Sequence, residues 1–114
     1  APFHSPLMAP AADHMTNVIG NIIIRAPTIP VISNITAKPE NNPNEIRRLL
    51  IEQVTGRVRW RESIINIREL GVKKFVEVGA GKILTGMIRR IDKQLEAISL
   101  ESSDDIRKFV SLAD

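Results

Sequence analysis

The sequence has no cysteine in 114 residues. Disulfides and thiolate zinc sites are therefore excluded, and the composition suits a reducing compartment. Aromatics are scarce, with one Trp and three Phe. That leaves little for stacking nucleic-acid bases, and the arginines are scattered rather than gathered in a basic stripe, so a nucleic-acid partner is not expected. Long apolar runs are missing too. Stretches such as Ile22-Ile23-Ile24 fall far short of the ~20 residues of a spanning helix, so no membrane segment is expected. Charge of one sign is also missing: 16 Lys and Arg stand against 13 Asp and Glu, a formal balance of +3. The opening Ala1-Pro2-Phe3-His4 has neither the basic run nor the apolar core of a signal peptide.

What is present reads as a globular domain or part of one. Hydrophobic residues make up 43% and charged residues 25%, ordinary values for a packed chain. A body of this size buries roughly 65% of its unfolded surface, enough for a core. Ser5-Pro6 reads as a cap and first position of a helix whose apolar face is Met8, Ala11, Ala12, Met15 and Ile19. Ile22 to Ile24 and the proline-bounded 26–30 stretch read as extended, Val31 to Ser33 as a short strand, and 34–42 as a polar loop. Asn42-Pro43-Asn44-Glu45 opens a second helix and Trp60 to Leu70 forms a third, closed by Gly71. Lys73 to Val78 is a strand, Ile83 to Ile91 a helix, Leu95 to Leu100 a strand, and Ser102 caps a last helix. Alternating strands and helices predict an α/β fold with parallel pairing, seen as one edge of a larger sheet.

Few residues could carry chemistry. His4 stands before the first helix, whose positive end favours a neutral imidazole, the form a general base needs. By position alone, a surface histidine is the commoner outcome. His14, mid-helix beside Asp13, reads as a solvated polar residue, and the two histidines make no metal site. Gly79-Ala80-Gly81-Lys82 follows a strand and opens a helix, but is too short for a phosphate loop and reads as a tight turn. Arg57, Arg59 and Arg61 alternate with Val58 and Trp60. They read as a solvated basic rim or a docking surface for an acidic partner.

Four segments together resemble one family. Phe3-His4-Ser5-Pro6-Leu7-Met8 is similar to the catalytic-histidine segment of the acyltransferases of fatty-acid and polyketide synthesis. Ala26 to Asn34 resembles their proline-bounded strand, Gln53-Val54-Thr55-Gly56-Arg57-Val58-Arg59-Trp60 their glutamine-to-tryptophan segment, and Glu77 to Gly86 the segment after it. They occur in the family's order over nearly the whole chain, and the nearest likeness is to the bacterial malonyl-CoA:acyl-carrier-protein transacylases.

The resemblance implies that residues 1–114 form the C-terminal part of an α/β-hydrolase-like large subdomain. The nucleophile-bearing part and most of a small ferredoxin-like subdomain would lie outside this fragment. It implies a cytoplasmic enzyme without a resident cofactor, acting on malonyl-CoA and acyl carrier protein. His4 would be the base and acid of a Ser–His ping-pong mechanism, and the Gln53 backbone carbonyl would hold the imidazole. Phe3 would exclude an α-methyl group, favouring malonyl over methylmalonyl. The family's usual residues before Phe3 are replaced by Ala1 and Pro2. No Gly-x-Ser-x-Gly occurs, so the chain alone is expected to be inactive and, with exposed apolar surface, to self-associate. An acyltransferase domain of a polyketide synthase and a non-catalytic module binding an acidic partner are the alternatives.

Overall fold

The computed structural model of the chain describes residues 1–113, which divide into two compact units, one of residues 1–66 and one that starts at Ile67. In the first unit a 3-10 turn, Pro6–Met8, runs into α1 (Ala9–Gly20). Pro6 takes the first position as expected. The Ser5 side chain, however, caps no helix amide. Its hydroxyl donates to the Pro2 carbonyl at 2.7 Å, bracing the turn that carries His4. The face of Met8, Ala11, Ala12, Met15 and Ile19 is the inward one, with Ile19 buried.

Residues 22–30 contain no strand. Val31–Ile32 (β1) and Pro39–Glu40 (β2) pair antiparallel, Val31 opposite Glu40 and Ile32 opposite Pro39. This corrects two expectations: 34–42 is not simply a loop, and β1 does not join a parallel ladder. The turn between them depends on Ala37, fully buried at φ +58, a left-handed conformation that its sequence does not advertise. Two cross-links hold it: Ala37 N donates to Ser33 O at 2.8 Å, and Asn66 Nδ2 donates to Ala37 O at 2.7 Å.

Next comes α2 (Pro43–Glu52), which packs on α1. Its start is as predicted. The Asn42 carboxamide accepts from the amides of Asn44 and Glu45, and Glu45 lies in the first turn. Arg47 reaches the Ile19 carbonyl near the end of α1. The helix stops at Gln53, its C-cap. Leu49 is buried on its inner face. Then comes α3 (Trp60–Glu69), and Gly71 follows it at φ +94, the left-handed geometry a glycine supplies freely.

The second unit is built on β3 (Lys74–Val78) and β4 (Glu96–Leu100), parallel and in register from Lys74–Glu96 to Val78–Leu100. The crossover between them contains α4 (Ile83–Ile91). α5 (Ser103–Ala113) packs against β4. The core of this unit is Ile88, Leu95, Ala97 and Leu100 with buried Thr85. Ser102 caps as predicted, its Oγ accepting from Asp105 N, and Asp105 completes the cap, its carboxylate accepting from the amides of Glu101 and Ser102. The α/β class stands. No helix among the described residues is long and apolar enough to cross a membrane.

Candidate active site

His4 lies in the turn before α1 with φ +60. A non-glycine residue there carries backbone strain of order 1–3 kcal/mol, a cost that tends to persist where it aims a functional side chain. Two bonds close the turn, Phe3 N to Ala1 O at 2.9 Å and Ser5 Oγ to Pro2 O. The result points the imidazole at the end of α2: His4 Nδ1 lies 2.8 Å from the Gln53 carbonyl oxygen.

The local sequence explains why that oxygen is free. The last carbonyls of a helix have no intrahelical donor, and Gln53 is the C-cap of α2, its own N–H spent on Leu49 O at 3.0 Å. The imidazole supplies the missing donor. Because a carbonyl only accepts, Nδ1 must carry a proton, and in the neutral ring that leaves the lone pair on Nε2. His4 is exposed, so that lone pair is available to an incoming hydroxyl or thiol. The helix end also places partial negative charge beside the ring. This is opposite to the influence expected from α1, and it suits an imidazolium formed during proton transfer.

The Gln53 side chain makes a second link. Its Oε1 accepts from Asn34 Nδ2 at 2.8 Å. Asn34 in turn accepts from Arg59 N through its backbone carbonyl at 3.0 Å. These two carboxamides border a cavity of about 220 Å³, lined also by Val31, Ile32, Leu49 and Leu50. Sequence reasoning met Asn34 only as the end of the proline-bounded strand. Nothing in local spacing joins positions 34 and 53; only the fold does.

The other candidates separate from this cluster. Phe3 adjoins His4 in sequence and is largely exposed (67%). His14 is exposed on α1. Gly79 and Gly81 take φ +141 and +88, the positive values a tight turn needs. The end of α4 that a phosphate would use is already filled by the Glu77 carboxylate. It accepts from Thr85 N and Thr85 Oγ at 2.7 Å and from Leu84 N at 3.3 Å. These bonds, those from Thr85 foremost, hold the Glu77 carboxyl below the usual range. The basic rim also changes. Arg59 turns toward the carbonyls of Ile35 and Thr36 and pairs with Glu62, while Arg57 and Arg61 remain exposed.

The chain is 40% identical over 108 residues to the malonyl CoA-acyl carrier protein transacylase of Haemophilus influenzae, covering 95% of this chain and 34% of that protein. The similarity falls on about one third of the length of such transacylases. Among solved structures, the acyl-carrier-protein-S-malonyltransferase of Bartonella henselae superposes with a TM-score of 0.90 at 45% identity, over 98% of this chain and 36% of the other. A malonyl-transacylase solved in complex with a type II polyketide-synthase acyl-carrier protein superposes at 0.88 with 34% identity, over 98% and 36%. No family model matches the chain. Across these transacylases the chain spans about a third of each relative's length.

Proposed function

We propose that this chain is the catalytic-histidine third of a malonyl-CoA:acyl-carrier-protein transacylase, from the C-terminal part of its α/β-hydrolase-like large subdomain. The observation that carries the proposal is the His4 Nδ1 contact to the Gln53 carbonyl at 2.8 Å. It fixes the tautomer that a base requires and does so without a carboxylate.

The chemistry needs a serine from outside this sequence. His4 Nε2 takes the serine proton as the oxygen attacks the malonyl thioester. The same nitrogen then protonates the departing coenzyme A thiolate. In the second half, the phosphopantetheine thiol of acyl carrier protein gives its proton to Nε2 and attacks the malonyl ester. The imidazolium finally returns a proton to the serine oxygen. Malonyl moves from one thiol to another, and no resident cofactor is required. Phe3, beside the base, would narrow the space at the malonyl α-carbon. Fatty-acid synthesis in the cytoplasm is the setting this reading supports. A type II polyketide pathway is the second reading, favoured by the structural neighbour solved with such a carrier protein.

The 114-residue chain incubated with malonyl-CoA should keep its intact mass, because it has no nucleophile elbow; a stable malonyl adduct would refute that. Grafted in place of the corresponding third of a full-length relative, the chain should sustain transfer. His4→Ala in that chimera should lower transfer by about 10²–10⁴-fold, the contribution of a positioned acid–base, and leave carrier binding intact. A variant that kept full activity would remove His4 from the mechanism.

A further inference from the structure

We infer that Asn34 is a positioning residue for His4, acting through Gln53; the inference rests on the reading of His4 as the base. Gln53 makes two different bonds with two different parts of itself. Its backbone carbonyl accepts from the imidazole, and its side-chain oxygen accepts from Asn34 at 2.8 Å. Gln53 is the last, C-capping position of α2, where helices fray and the peptide plane is least restrained. A side-chain anchor at that residue restrains the peptide whose oxygen orients the base.

Asn34 is well placed to serve as that anchor. It follows β1, its carbonyl accepts from Arg59 N, and Arg59 is itself held by the carbonyls of Ile35 and Thr36 and by Glu62. The Asn34 carboxamide is half-buried, beside the apolar cavity of Val31, Ile32, Leu49 and Leu50. Hydrogen bonds are stronger where water is scarce, and an unmatched partner there is costly. Asn34 thus ties the Gln53 peptide to the β1–β2 turn, so the imidazole is aimed by a segment remote from it in sequence.

The test reads the imidazole directly, without activity. In the ¹⁵N-labelled chain, ring nitrogen shifts give the ratio of Nδ1–H to Nε2–H for His4. His14, solvated on α1, serves as the internal reference. Asn34→Leu should lower the His4 ratio about fivefold, the size of one ordinary net hydrogen bond, and leave His14 unchanged. Asn34→Asp should restore it, since Gln53 can turn its amide to donate to the carboxylate. Gln53→Met keeps the backbone carbonyl but removes the side-chain link. It should match Asn34→Leu, and the double variant should be no worse than either, because both cut one link.

A His4 ratio unmoved in Asn34→Leu, or effects that simply add, would overturn the positioning role while leaving His4 as the base. Should Asn34→Leu not fold, Gln53→Met alone decides, because an unmoved ratio there breaks the link equally. A native chain already at the free-imidazole ratio would instead remove the His4–Gln53 contact, and the proposed function with it.

Discussion

His4 combines two properties that a sequence shows unequally. Its identity as a candidate base was readable from the Phe3-His4-Ser5-Pro6 segment, but its φ of +60 was not, because no glycine or asparagine marks the turn. That strain leads to a prediction. His4→Gly and His4→Ala both lose the imidazole, yet glycine accepts the left-handed backbone. The glycine variant should melt higher than the alanine variant, by the equivalent of about 1 kcal/mol. Equal melting temperatures would mean the turn relaxes freely. Glu77 carries a different residue-scale prediction. Bonds from Thr85 and Leu84 hold its carboxyl below the ordinary value, so its contribution is present above the usual glutamate range. That contribution is lost as pH falls through the lowered folded-state value. Glu77→Gln should therefore reduce thermal stability at neutral pH. The gap to the native chain should close on acidification, as pH falls from the usual glutamate range through the lowered folded-state value. A gap constant across that range would show that charge is not what Glu77 contributes.

Helix ends were more readable than strand pairing. Asn42-Pro43-Asn44-Glu45 encodes its own start, since capping side chain, fixed proline φ and acidic first turn are all local. Asn42 accepts from both Asn44 N and Glu45 N, so Asn42→Ala should cost about 1 kcal/mol in chemical denaturation. A loss below a few tenths would show that α2 is held by packing alone. The Ser102 cap was readable for the same reason. By contrast, the β1–β2 pairing was hidden. Each strand is two residues long, β2 includes a proline, and the turn rests on Ala37 in a conformation alanine rarely adopts. No periodic pattern can mark so short a ladder. The Asn34–Gln53 bond was hidden likewise, because it joins residues that only the folded β1–β2 segment and the end of α2 bring together.

At the scale of the whole molecule, apolar surface left open is consistent with a chain that spans a third of its relatives. Parallel sheets are ordinarily covered on both faces, yet Val76 and Val78, on one face of β3, are exposed, Val78 at 69%. Ile83 at the start of α4 is 77% exposed. In the first unit, Ile23 and Ile29 are exposed as well. Water contact at such side chains costs about 25 cal/mol per Å² of apolar surface, and β3 also has an edge that the described residues leave unpaired. Together these favour association between copies. Sedimentation of the isolated chain should show a mass that rises with concentration above that of the monomer. Val78→Lys places a charge on the open face without touching the buried core, and should weaken association by about tenfold, the cost of one valine-sized contact. A mass fixed at the monomer value at every concentration would mean that these side chains are tolerated in water, and that the open face of β3 calls for no covering partner.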